Sequence, residues 1–209
     1  MRNFIPLILL PVIFLWSCNK PKENTTEETA ISAYYTSDYI SSQVKDNFSV
    51  INIDSLSNFS ELNNKISEIK CDNKIPGLTF SVEKSNYNLV GCLDCAQSKV
   101  KSCKGASDFI FIQNDSIITD LNNERKIHIS HLREVINEIN YGNYKYRITD
   151  RPDLPIVINL TVDNEFPISM TKNVLKVIFD EFEQTSQGHK ITEYNYEIHF
   201  EPYEVVSAK

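Results

Sequence analysis

Pro155-Ile156-Val157-Ile158-Asn159-Leu160-Thr161-Val162-Asp163 is the most sheet-like run in the 209-residue chain. Side chains alternate across a strand, so Ile156, Ile158, Leu160 and Val162 point one way and Val157, Asn159 and Thr161 the other. Both sides are largely apolar, which predicts a strand buried on two faces in the middle of a sheet. Downstream, Pro167 and Ser169 open a helix in which Val174, Val177, Ile178 and Phe182 share a face, and Gly188 closes it. Tyr194, Tyr196, Ile198 and Phe200 then alternate with Asn195, Glu197 and His199, the pattern of a strand with one buried and one wet face. Upstream, Phe109 to Ile112 and Ser116 to Thr119 flank Gln113, Asn114 and Asp115, a hairpin signal. Ser130 caps a helix with a stripe of Leu132, Val135, Ile136 and Ile139, stopped by Gly142, and a polar loop runs from Asn143 to Asp153. The order ββαβαβ suits helices packed on one face of a mixed sheet.

A second unit precedes it. Phe48 to Ile53 is β-prone, and Asn58 with Glu61 forms a capping pair for a helix whose Phe59, Leu62, Ile66 and Ile69 lie on one face. Lys70 to Gly77 breaks that pattern. Leu78, Phe80 and Val82 alternate with Thr79, Ser81 and Glu83, and Ser85 and Asn86 turn the chain into a strand from Tyr87 to Cys92. The expected class is therefore α+β: a cysteine-containing βαββ unit over 48–105, a ββαβαβ unit over 106–202, and a tail at 203–209. Residues 18–47, rich in Lys, Glu, Thr and Ser, read as a polar tether. Ile31, Tyr34, Tyr35 and Tyr39 have near-helical spacing, so its second half is expected to dock as a helix.

The first seventeen residues carry a different message. Arg2 is their only charge, and Phe4 to Trp16 form an apolar run of about 20 Å at about 1.5 Å per residue, too short for roughly 30 Å of bilayer hydrocarbon. Pro6 and Pro11 further oppose a spanning helix. The segment reads as a secretory signal over 1–17, and Leu15-Trp16-Ser17-Cys18 resembles a bacterial lipobox. That resemblance implies cleavage before Cys18, acylation of Cys18 with diacylglyceryl and palmitate-type chains, and a stable membrane anchor. Asn19 is not the aspartate that retains such proteins at the inner membrane, so the periplasmic side or the surface of the outer membrane is the expected address.

The formal charge of −7, without clustered Lys or Arg, excludes nucleic acid and anionic headgroups as expected partners. With Cys18 given to lipid, Cys71, Cys92, Cys95 and Cys103 remain, an even set in an oxidising compartment. Two structural disulfides are the default expectation, with three connectivities open. A rival reading makes Cys92 and Cys95 an exchanging dithiol or part of a four-cysteine metal site. His128 and His131 are expected to be a solvated pair, and His199 to be wet. Asp163 and Glu165 lie at the C-terminal end of a strand, where α/β ligands often bind, and are the candidate binding residues. The five glycines are scattered, so no phosphate loop or nucleophile elbow exists. No catalytic residue, metal or cofactor is expected.

From about Asp108 to Phe200 the chain resembles the periplasmic domain of the ExbD/TolR family, which has a hairpin, helix, strand, helix and strand in that order. The likeness is concentrated in Pro155, Ile156, Val157, Ile158, Asp163 and Pro167, followed by Val174-Leu175-Lys176-Val177-Ile178. The resemblance implies a periplasmic domain that dimerises and contacts energy-transducing proteins or peptidoglycan. Family members also carry a membrane helix with a proton-coupling aspartate. The leader here has no acidic residue, so the expectation is a lipid-anchored, non-enzymatic binding module for another envelope protein or the cell wall. A homodimer is possible, and the rival is a thiol-disulfide or metal-dependent envelope enzyme using Cys92 and Cys95.

Overall fold

A computed structural model of the chain describes residues 32–92, 108–120, 125–140, 142, 154–188 and 196–201. In chain order the elements are β1 (Ser32–Tyr35), α1 (Ser37–Gln43), β2 (Phe48–Asn52), α2 (Phe59–Cys71), β3 (Ile75–Val82), β4 (Ser85–Cys92), β5 (Asp108–Gln113), β6 (Ser116–Asp120), β7 (Arg125–His128), α3 (Leu132–Asn140), β8 (Ile156–Thr161), α4 (Ile168–Gly188) and β9 (Tyr196–Phe200). The class is α+β, with nine described strands in one mixed sheet, eight of them ordered β2-β3-β4-β9-β8-β5-β6-β7 and the ninth, β1, paired to β4 off that path.

β8 occupies the central place that its two apolar faces require. It pairs in parallel with β5 on one side and β9 on the other, and Ile156 through Leu160 are all buried. β9 in turn pairs in parallel with the end of β4, Gly91 opposite Ile198 and Cys92 opposite His199. The first half of the same β4 edge is taken by β1, also parallel, from Ser32 opposite Ser85 to Tyr35 opposite Asn88. Two strands thus lie end to end along one side of β4. The two segments expected as separate units share this sheet and one continuous buried cluster.

The amphipathic helices bury the stripes their spacing dictates. Leu62 and Ile66 of α2, Leu132 and Ile136 of α3, and Leu175 and Ile178 of α4 join Leu78, Ile110, Ile158 and Phe200 from the sheet in that cluster. Helices α2, α3 and α4 therefore cover one face. α1 does not: a Cβ on Gly77 would meet the rings of Phe48 and Tyr39, and Gly77 points away from Leu78 by strand alternation. α1, which precedes both expected units, packs on the opposite face through Tyr39.

Local chemistry sets the ends. The Asn58 side chain accepts from the Glu61 N–H at 3.0 Å, so Asn58 caps α2 as expected, while the Glu61 carboxylate accepts from the N–H of the preceding Ser57 at 2.9 Å. α3 is entered through a single 3-10 turn capped by His128, whose ring nitrogen accepts from the Ser130 N–H at 3.2 Å; Ser130 itself is not the cap. The β3–β4 turn falls at Glu83 and Lys84, with Glu83 at φ 56°, two residues before the expected Ser85 and Asn86. The latter already belong to β4. Tyr34 and Tyr35 lie in β1, not in a helix as their spacing predicted, because pairing with β4 overrides a weak local pattern. β7 was not anticipated: Arg125-Lys126-Ile127-His128 offers one aliphatic residue, and it sits at the sheet margin, where charged strands discourage foreign pairing.

Candidate functional site

Strands β4, β9, β8 and β5 run parallel, so their C-terminal ends lie along one edge of the sheet, the region where open α/β sheets bind ligands. Asp163 is there, just past β8. Its Oδ2 accepts from the Asn114 amide Nδ2 at 2.9 Å, and its N–H donates to Asn114 Oδ1 at 2.9 Å. Asn114 is the φ 57° residue of the β5–β6 hairpin, so this pair fastens the hairpin to the start of the α4 connection. Phe166 N–H closes the turn on the Asp163 carbonyl at 3.0 Å. Glu165 is exposed in the same turn and is not brought to Asp163 by any described contact. Asp163 thus acts in holding two loops together.

A second group forms on the sheet face turned away from α2, α3 and α4. Cys92 and His199 are in-register neighbours on β4 and β9; Glu197, two residues before His199, projects to the same face. His199 Nε2 lies 3.2 Å from Glu197 Oε2. The ligand atoms of all three residues lie within 4.8 Å of one another. The Glu197 side chain is 16% exposed and that of His199 36%, so His199 is half-buried and in hydrogen-bond contact with Glu197. The next rung places Asn159 of β8, 9% exposed, beside His199.

The cysteines divide. Cys71, closing α2, is disulfide-bonded, with its partner outside the described residues. Cys92 is in the thiol form. Its expected disulfide partners, Cys95 and Cys103, fall in the part of the chain the structure does not describe; the residue paired beside it in the sheet is His199. Cys18, Cys95 and Cys103 lie outside the described residues. His128 and His131 serve separate partners, Asp115 at 3.9 Å and Glu134 at 3.0 Å.

Sequence reasoning missed the Cys92, Glu197 and His199 group. The period-two spacing of Glu197 and His199 was readable; their approach to Cys92, over a hundred residues earlier, depends on the β4–β9 register. No family model matches the chain, and no curated protein or solved structure matches it.

Proposed function

We propose that this chain is a lipid-anchored cell-envelope protein whose sheet domain is a non-enzymatic binding module for another envelope protein or for peptidoglycan. The observation that carries the reading is the leader: one basic residue, an apolar run from Phe4 to Trp16, and Leu15-Trp16-Ser17-Cys18 at its end. Among the described residues no helix is long and apolar enough to cross a membrane, so the attachment proposed is the acylated Cys18. Support for binding comes from the surface. Among the described residues the exposed large apolar side chains are Tyr34 and Tyr35 in β1, Ile40 in α1, Val44 just past it and Val50 in β2, and apolar exposure is one mark of interaction sites. The ExbD/TolR-like order of elements from β5 to β9 supports a periplasmic contact role, with β7 as an addition to that order.

The test is intact-mass analysis of the protein extracted from envelopes, combined with crosslinking from Val50. The expected product begins at Cys18 and carries acyl chains, and Cys18→Ser releases it from the membrane fraction. A chain retaining Met1, or a bare Cys18, overturns the anchor. The competing function, a thiol-disulfide or metal-dependent enzyme using Cys92 and Cys95, is favoured by one observation, the Cys92 thiol beside His199. Disulfide exchange abolished by Cys92→Ser would select it over the binding reading.

A further inference from the structure

We propose that Cys92, Glu197 and His199 form a three-ligand site for a divalent transition-metal ion, with zinc the ion the donor set fits. This goes beyond the binding-module reading and does not depend on it.

The donors are one sulfur, one imidazole nitrogen and one carboxylate oxygen. Hard cations such as calcium and magnesium are held by oxygen sets, whereas this mixture suits zinc. Geometry agrees. A tetrahedral zinc with bonds of about 2.0–2.3 Å sets its ligands about 3.3–3.8 Å apart. His199 Nε2 and Glu197 Oε2 are already 3.2 Å apart, and the sulfur lies inside the same 4.8 Å envelope. Closing the group therefore needs shifts of only about an ångström.

The scaffold is rigid where it matters. Cys92 and His199 are fixed side by side by a parallel ladder, and β9 is paired along its length to β8, which preorganises the ligands. On loading, the Cys92 S–H bond breaks, a sulfur–zinc bond forms and the proton leaves to solvent. Thiolate and carboxylate together balance the two positive charges of the ion. Three protein ligands leave a fourth position for water or a partner's side chain.

The test uses the full chain with its disulfide intact, stripped with a chelator and titrated with cobalt(II) as a spectroscopic stand-in and with zinc. The expected result is one ion per chain with thiolate-to-cobalt charge-transfer absorption, displaced by zinc. Cys92→Ser removes that absorption, and His199→Gln and Glu197→Gln each weaken zinc at least tenfold, while the metal-free variants keep the wild-type circular dichroism and melting temperature. X-ray absorption of the zinc-loaded wild type, which needs no variant to fold, should show one sulfur among nitrogen and oxygen ligands. Absence of a stoichiometric ion, a shell of two or more sulfurs, or affinity unchanged in all three variants overturns the site.

Discussion

Asn114 and Asp163 hold each other through two hydrogen bonds of 2.9 Å, side chain to side chain and side chain to backbone. Because Asn114 also occupies φ 57°, where residues with a bulkier Cβ are strained, it serves the turn twice. Asn114→Ala loses both bonds and keeps the strain, and should destabilise the fold by about 2–4 kcal/mol. Asn114→Gly removes the strain alone and should recover roughly 1 kcal/mol of that. Denaturant midpoints measure both; an alanine variant within about 0.5 kcal/mol of wild type would refute the clamp.

Asp54 predicts an acid limb of stability. Burial pushes its carboxyl up, but the Lys172 ammonium at 2.7 Å and the Ser81 N–H at 3.0 Å together outweigh this and hold it below its ordinary value. A carboxyl depressed on folding contributes fully above its unfolded pKa, about 3.9, and loses that contribution as pH falls through the lower folded value. Urea midpoints of the wild type should therefore drop over that acid range. Asp54→Asn should drop less steeply, and parallel curves would exclude the linkage.

Tyr87 and Lys176 predict the alkaline limb. Burial, with Asp180 nearby, raises the Tyr87 phenol, and the hydrogen bond to Asp180 raises the Lys176 ammonium. Both groups stabilise fully below their unfolded pKa values, about 10, and cease to do so as pH rises through the higher folded ones. Tyr87→Phe should flatten the fall in melting temperature above pH about 10, and an unchanged slope would show that Tyr87 does not carry it.

Gly77 sets the seating of α1. A Cβ there would lie 2.8 Å from Phe48 Cε2 and 3.0 Å from Tyr39 Cε2, so Gly77→Ala must displace both rings, at about 1–3 kcal/mol. Adding Phe48→Ala opens the space, and the double variant should be more stable than the sum of the single losses predicts. Strict additivity in thermal melts would mean the rings are not the obstacle.

β1 is exposed along its whole length and is held by its ladder to β4 and by side-chain contacts. The Asn88 amide donates to the Tyr34 carbonyl at 3.0 Å, and the Tyr34 ring stacks on Tyr87 at 5.4 Å between centroids. Asn88→Ala should weaken this docking by about 1 kcal/mol, read as faster amide exchange in β1 and α1 with β8 unchanged. Uniform acceleration through β8 would instead mean that β1 opens only with the whole domain.

What could be read in advance follows from the range of the forces involved. The Ile156–Val162 run, the stripe Leu132, Val135, Ile136 and Ile139, and the Tyr196, Ile198 and Phe200 alternation each encode burial within a few residues, and all were legible. Asn58 and Glu61 were legible because capping is local. Glu83 was not, since nothing in its side chain advertises a left-handed backbone. β7 escaped because charge patterning masks a marginal strand, and β1 because its conformation is imposed by β4. The meeting of Cys92 with Glu197 and His199 is a property of strand register, which no window of sequence contains.

Because β1 and β9 share one side of β4, the earliest and the latest of the described strands finish the same seam. A nascent chain leaves the ribosome with Gly91 and Cys92 synthesised long before Ile198 and His199 exist to meet them. Until then the far end of β4 is an adhesive border that a neighbouring nascent copy could anneal to. Truncations that remove β9 and spare every earlier strand should therefore aggregate.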